Sequence, residues 1–381
     1  MDNRAGRTVR NFSGEMGYES FYPQPLPPRP DIEIDSEMLE LLIDAQKKLS
    51  LLEGVSDRIP NKDLFISMYV RKEALVSSQI EGTQCTLEDI LDPQIEENIN
   101  ADVSDVVNYV RAVNYAIERM KVLPLCNRLI RETHAVLMKS VRGSDKTPGE
   151  FRTSQNWIGG AGSTLRNARY IPPNPQDMDA CMSDFEKYMN LDDGTDQLIK
   201  AALLHYQFET IHPFPDGNGR VGRLLITAYL MNVHLLSSPV LYLSCYLKLN
   251  RIEYYDRMSE VRRTGNYEQW IRFFLRGIAE TAQDATETID RLVALHRRSE
   301  EKLEDVPTRS RQNMMDLLAY IENNPIIETV KTAAALGLSR NAAAKYISVM
   351  CDKGILRLSA KSGKAFVFSY AEYLEILRKD T

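Results

Sequence analysis

Between His212 and Arg223 the chain reads His212-Pro213-Phe214-Pro215-Asp216-Gly217-Asn218-Gly219-Arg220-Val221-Gly222-Arg223. An imidazole such as His212 can take a proton near neutral pH. The carboxylate of Asp216 can offer oxygen to a hard divalent cation such as magnesium. Gly217 and Gly219 lack a Cβ, so the backbone there can approach a phosphate closely. Arg220 and Arg223 are three residues apart and share one face of any helix that holds them. A base, a cation ligand, glycines and paired guanidinium groups together suit chemistry at a phosphate.

The elements that must position these groups can be read from their neighbours. Pro215-Asp216-Gly217 is a turn signal. Beyond it the pattern becomes helical through Leu224, Leu225 and Leu230. Residues 216–219 therefore form a loop that feeds a helix N-terminus, where free N–H groups and the positive end of the helix dipole make an anion site. A plain loop with an aspartate cap and a packed histidine would account for one or two of these positions, but not for all of them.

The stretch resembles the signature of the Fic family, His-x-Phe-x-(Asp/Glu)-Gly-Asn-Gly-Arg-x-x-Arg, at every fixed position. Members of that family typically move AMP from ATP to a hydroxyl side chain of a protein. The resemblance implies that His212 deprotonates the acceptor hydroxyl, Phe214 anchors the loop and Asp216 holds Mg2+ or Mn2+. It further implies that Gly217, Asn218 and Gly219 bind the α- and β-phosphates, Arg220 grips the phosphate chain and Arg223 meets the γ-phosphate. A phosphotransferring branch of the family carries lysine where this chain has Gly219. The glycine leaves room for the nucleotide tail and favours attack at the α-phosphorus.

A second motif lies upstream. Ser77-Ser78-Gln79-Ile80-Glu81-Gly82 ends a helical run through Tyr69, Lys72 and Val76. It resembles the family's inhibitory motif, (Ser/Thr)-x-x-x-Glu-(Gly/Asn), and marks the subclass with an N-terminal inhibitory helix. The resemblance implies that Glu81 pairs with Arg223, a bidentate match of carboxylate and guanidinium. By itself the hexapeptide reads equally as an exposed glutamate before a glycine cap. Further on, Tyr254 in Asn250-Arg251-Ile252-Glu253-Tyr254-Tyr255 aligns with a tyrosine that contacts nucleotide in relatives. Core packing is an equal reading of that residue.

At 381 residues the chain has room for more than one core. Its net charge of −6 opposes a nucleic-acid coat or a polybasic membrane anchor. Cys85, Cys126, Cys181, Cys245 and Cys351 are widely spaced and show no metal pattern, as expected for free thiols in a reducing compartment. Residues 1–30 contain no apolar run suited to a secretory signal, and the apolar stretch 224–247 is broken by Asn232, His234 and Pro239. These features set the expectation of a cytoplasmic protein without a membrane span.

The expected fold is mainly α: a Fic-fold helical core with a β-hairpin flap, an N-terminal helical subdomain and a C-terminal winged helix. Residues 1–30, rich in proline toward their end, are expected as an extended surface arm. The N-terminal helical subdomain is expected over 31–115, with a first helix capped by Ser36, faced by Leu39, Leu42, Ala45, Leu49 and Leu52, and stopped at Gly54. Pro60-Asn61 is expected to open the inhibitory helix. The catalytic core spans 116–280. Its Gly/Pro/Arg-rich segment from Val141 to Pro175 resembles the family's flap, which aligns a target by main-chain hydrogen bonds. His134 and His205 are expected to be packed or hydrogen-bonded, and Trp270, Phe273 and Phe274 to be core. A linker helix over 281–304 leads to the winged helix at 305–381, with helices at 311–322, 329–336 and 340–353 and strands at 355–359 and 365–368.

Residues 305–381 hold 11 Lys and Arg against 8 Asp and Glu. That net +3 is a weak basic signal, so a docking role is favoured there over DNA binding. The chain thus reads as an autoinhibited protein adenylyltransferase acting on ATP and on a Ser, Thr or Tyr hydroxyl of a protein target, its own included. Two rival readings are removal of AMP by the same site and a nucleotide-sensing DNA-binding regulator. Homodimers are common in the family, though nothing in the sequence marks an interface.

Overall fold

The computed structural model describes residues 2–13, 17–56, 62–93, 100–139, 147–160, 162–362 and 365–379. Three strands come first: β1 (Asp2–Asn3), β2 (Gly6–Asn11) and β3 (Tyr18–Pro23). The helices α1 (Ser36–Ser56), α2 (Lys62–Ile80), α3 (Leu87–Leu91), α4 (Ala101–Met120), α5 (Asn127–Leu137), α6 (Pro175–Met189), α7 (Gln197–Ile211) and α8 (Asn218–Asn232) follow. After them come α9 (Ser244–Leu249), α10 (Arg251–Thr264), α11 (Tyr267–Lys302) and α12 (Thr308–Asn323). The chain closes with β4 (Ile326–Glu328), α13 (Thr329–Ala335), α14 (Arg340–Asp352), β5 (Arg357–Ser362), β6 (Ala365–Ser369) and α15 (Ala371–Leu377). The fold is mainly helical, as expected.

Two compact units share the chain: Met1–Ser50 with Asn108–Ala282, and Leu51–Val107 with Gln283–Thr381. In the first unit α7 is apolar around most of its circumference and is buried from Leu198 through Ile211. It packs on α6, α8 and β3. Trp270, Phe273 and Phe274 of α11 are core residues, as the sequence suggested, and the Trp270 indole donates to the Ala202 carbonyl at 2.9 Å.

The expected N-terminal arm is instead a three-stranded antiparallel sheet in the order β1-β2-β3, with Thr8 opposite Phe21 and Val9 opposite Ser20. The charged positions Arg7 and Arg10 hid the strand pattern. Ala5, Ser20 and Phe21 are nonetheless buried, and Gln207 of α7 donates to the Gln24 carbonyl at 2.9 Å. The first helix also differs in detail. Asp35 rather than Ser36 caps it, accepting from the Met38 N–H at 2.9 Å. Met38 is buried where Leu39 is half exposed, and the helix runs past Gly54 to Ser56.

In the second unit α2 packs on α12. The Lys72 ammonium, 7% exposed, donates to the Lys379 carbonyl at 2.7 Å. Arg71 donates to the Asn323 carbonyl at 3.0 Å, and Lys331 donates to the Pro93 carbonyl. Burial pulls the Arg71 guanidinium below its ordinary pKa. The elements α12, β4, α13, α14, β5, β6 and α15 follow one another, with β4-β6-β5 as an antiparallel sheet. Ser339 caps α14, accepting from the Ala342 N–H. The sequence reading lacked β4 and α15; a three-residue strand is too short to show a period of two.

The expected domain boundaries do not coincide with these units. Segment 51–107, with α2 and α3, belongs with the C-terminal residues, and the linker expected over 281–304 is the continuation of α11. The start of α2 expected at Pro60-Asn61 lies outside the described residues. Among the described residues no helix is long and apolar enough to cross a membrane, and all five cysteines are free thiols.

Candidate active site

α7 ends at His212, whose backbone adopts the left-handed conformation with φ 51° and ψ 60°. For a residue with a Cβ this conformation is unusual and has to be held by its surroundings. Arg152 does much of that holding. It is 3% exposed, its Nε donates to the His212 carbonyl at 3.0 Å, and its other donors reach the Ile211 and Pro173 carbonyls. The Arg152 backbone N–H also donates to the Pro213 carbonyl at 2.9 Å. Burial pulls the Arg152 guanidinium down to about 10, which still leaves it cationic at neutral pH.

The loop itself is closed by side chains that turn back on its own backbone. Asn218 Oδ1 accepts from the Phe214 N–H at 2.8 Å, and Asn218 Nδ2 donates to the Phe214 carbonyl at 2.8 Å. Asn156 donates to the same carbonyl at 3.0 Å. Phe214 is fully buried and stacks on His134 with ring centroids 3.7 Å apart. The His134 tautomer follows from its partners. Nδ1 accepts from the Gly149 N–H at 2.9 Å, so the proton sits on Nε2, which donates to the Asp216 carbonyl at 3.0 Å. Burial lowers the pKa of this histidine to about 4 and keeps it neutral. It is a structural post, as the sequence suggested.

At the far end of the loop Gly217 caps α8 with φ 77°, and an added Cβ would lie 2.9 Å from the Met138 sulfur. Asp216 leaves 53% of its side chain in solvent while its Oδ1 accepts from the Gly217 N–H at 2.6 Å. Arg220 is 7% exposed and stands 4.0 Å from Asp216 Oδ1. Arg223, one turn on, is 3% exposed. The structure therefore gathers His212, Asp216, Gly217, Asn218, Gly219, Arg220 and Arg223 around one short loop. The Asn218 side chain serves the loop, which leaves only its backbone for an anion.

Glu209 lies one turn before His212, 7% exposed, with Oε2 4.0 Å from His212 Nδ1. Room for this carboxylate exists because residue 222 is glycine; a Cβ there would fall 2.2 Å from Glu209 Oε1. His205, another turn back, has Nδ1 3.1 Å from the Gly222 carbonyl and Nε2 3.0 Å from the Tyr254 hydroxyl. A carbonyl only accepts, so Nδ1 carries the proton and the Tyr254 hydroxyl donates to Nε2. Burial lowers the His205 pKa to about 4.

Tyr254 is thus a core residue. It is 2% exposed, its hydroxyl is engaged by a buried histidine and its ring packs against Trp270. The structure gives it no open face for a nucleotide, so of its two sequence readings the packing one stands. Glu81 and Ser77 lie in the second unit. Ser77 is buried in α2, and Glu81 is an exposed residue in the turn beyond it, its N–H donating to the Ser78 carbonyl at 3.0 Å.

Of the expected flap, residues 141–146 and 161 lie outside the described residues; among the described ones it forms one antiparallel bridge. The Ile158 N–H donates to the Tyr170 carbonyl at 2.8 Å, and the Tyr170 N–H donates back at 3.0 Å. β3 continues this pairing through the Phe21 N–H, which donates to the Ile171 carbonyl at 2.9 Å. Sequence reasoning missed the roles of Arg152, Asn156 and Glu209. An arginine after Gly149-Glu150-Phe151 and a glutamate three residues before His212 are the only signals they leave.

Comparison with known proteins places the same segments. The N-terminal model of the Fic/DOC family matches residues 39–118, and the Fic/DOC family model matches residues 124–230. Over 127 residues, 33% of its length, the chain is 36% identical to the Protein adenylyltransferase Fic of Culex quinquefasciatus. Over the same length it is 35% identical to the proteins of that name in Aedes aegypti and Drosophila melanogaster. It spans only 22–23% of the length of these relatives. The crystal structure of a Fic family protein from Desulfovibrio desulfuricans G20 superposes over 90% of this chain and 98% of its own, with a TM-score of 0.57 at 18% identity, and shares the fold.

Proposed function

We propose that this member of the Fic/DOC family is a protein adenylyltransferase that moves AMP from ATP to a Ser, Thr or Tyr hydroxyl of a protein, its own included. The observation that carries the reading is one loop that sets His212 at the end of α7 and the free N–H groups of α8 just beyond it. A nucleotide whose phosphates lie on Gly217–Gly219, between Arg220 and Arg223, presents its α-phosphorus toward His212. The acceptor oxygen then bonds to that phosphorus as its proton passes to His212. The bond to the bridging oxygen breaks, and pyrophosphate leaves with the electron pair. Gly219 favours this outcome because it leaves the tail of the nucleotide unobstructed.

Asp216 suits a magnesium or manganese ion that keeps several waters and takes its other oxygens from phosphate. Such an ion would supply neutralisation of the phosphate charge.

Ser77 and Glu81 form the restraining element in this reading, and residues 305–381 a winged helix that docks partners. Incubation with ATP labelled on the α- or the γ-phosphate tests the activity. Label from the α-phosphate is expected on protein, and γ-label on protein would instead establish phosphotransfer. Glu81→Gly should raise self-labelling several-fold. A variant less active than the parent would overturn the inhibitory role.

A further inference from the structure

Glu209 is a buried carboxylate to which the proposed transfer assigns no task. It sits one helical turn before His212 on α7, so both side chains point toward the same face. Its Oε2 is 4.0 Å from His212 Nδ1, and only 9% of its side chain is exposed. The absence of a Cβ at Gly222 lets the carboxylate lie against α8. A buried carboxylate is costly to keep charged unless its charge is used.

We propose that Glu209 is a positioning residue for His212: it orients the imidazole through Nδ1, directs Nε2 to the acceptor hydroxyl and stabilises the imidazolium formed there. This rests on the reading of His212 as the base. With its proton on Nδ1 the ring turns that N–H toward Glu209 and leaves the Nε2 lone pair for the hydroxyl. The acceptor proton moves to Nε2 as the oxygen–phosphorus bond forms. The imidazolium then carries a positive charge that faces a carboxylate, and the proton later leaves Nε2 to water. A general base commonly needs a third group to fix its tautomer and orientation.

Several other charged and titratable groups belong to this part of the first unit. Arg152 donates to the His212 carbonyl at 3.0 Å, and the Tyr170 hydroxyl donates to the Thr210 carbonyl at 2.6 Å. Arg220 and Arg223 are buried on α8, Asp216 stands in the loop, and His205 is buried on α7 itself. Among these groups Glu209 is the anion that stands within 4.0 Å of the ring.

The test is the pH–rate profile of self-labelling by the full chain with α-labelled ATP, alongside ATP affinity by calorimetry. Glu209→Gln keeps shape and removes charge. Its plateau rate should fall about tenfold and the midpoint of its acidic limb should move down by about one pH unit, with ATP affinity within about twofold of the parent. Glu209→Asp keeps the charge and should keep the midpoint while losing some rate. An unchanged profile for the glutamine variant, or a midpoint for the aspartate variant that falls as far, would overturn the proposal. His212→Ala separates this from the parent reading. If that variant labels normally, the base assignment fails; if it is inactive while Glu209→Gln is normal, only the role of Glu209 fails.

Discussion

Both compact units bury a cation against backbone carbonyls, but to different ends. In the first unit Arg152 spans the His212, Ile211 and Pro173 carbonyls and fixes a reactive side chain at a helix end. In the second, Arg71 and Lys72 of α2 reach the carbonyls of Asn323 and Lys379, fastening an early helix to the last part of the chain. The histidines differ in sign. Burial drives His134 and His205 down to about 4, whereas a hydrogen bond donated to Glu322 raises His296 above its ordinary value. The first unit is organised around groups kept neutral inside a motif; the second around charges that join distant segments.

The largest expected effect separates chemistry from scaffold. His212→Ala should slow label transfer by about 10²–10⁴-fold with ATP binding nearly intact. Transfer at the parent rate would show that the loop in the first unit only positions groups. Arg152→Met comes next, because it leaves several buried carbonyls without their donor. We expect a loss of about 3 kcal/mol in the stability of the first unit, and transfer should fall with it. Both tryptophans, Trp157 and Trp270, lie in that unit, so intrinsic fluorescence follows its unfolding directly.

Lys72→Met should cost about 1–2 kcal/mol. The loss should appear as faster amide exchange in α2 and leave the tryptophan transition in place. Equal shifts of that transition by both methionine variants would mean that the units unfold as one, and the comparison would collapse. The smallest effect is in pH. Stability of the first unit from His134 and His205 is fully present above about pH 6.5 and lost as pH falls toward about 4. The contribution of His296 has the opposite sign: it is present below about 6.5 and fades as pH rises through its raised folded value. Tryptophan fluorescence should therefore show acid lability below about pH 6.5, whereas α12 should lose amide protection only as pH rises above that value.

What the sequence disclosed follows the same division. The loop from His212 to Arg223 is contiguous, so its turn, its glycines and its arginines announce each other without knowledge of the fold. The packing of Trp270, Phe273 and Phe274 was legible from spacing, and that of Phe214 from the family resemblance. Arg152 and Asn156 were not, because a side chain that donates to carbonyls some 60 residues away leaves no local pattern. The N-terminal sheet was hidden by Arg7 and Arg10, which fall on opposite faces of β2 and break its alternation. Lys72 was legible only as part of a helical run, because the acceptor it meets is 307 residues downstream. Domain boundaries drawn from prolines and charge balance could not register such a contact.

The spacing between Arg220 and Arg223 bears on how freely this chain can vary. In a motif written Arg-x-x-Arg the two middle letters look open to any residue. Val221 is fully buried, and at 222 even a methyl group would collide with Glu209 Oε1 at 2.2 Å. A randomised library over these two codons, selected only for folded protein, should return small aliphatic side chains at the first and, at the second, glycine ahead of the smallest residues, which displace the Glu209 carboxylate. Positions that a consensus leaves blank would then carry as much selective information as several that it spells out.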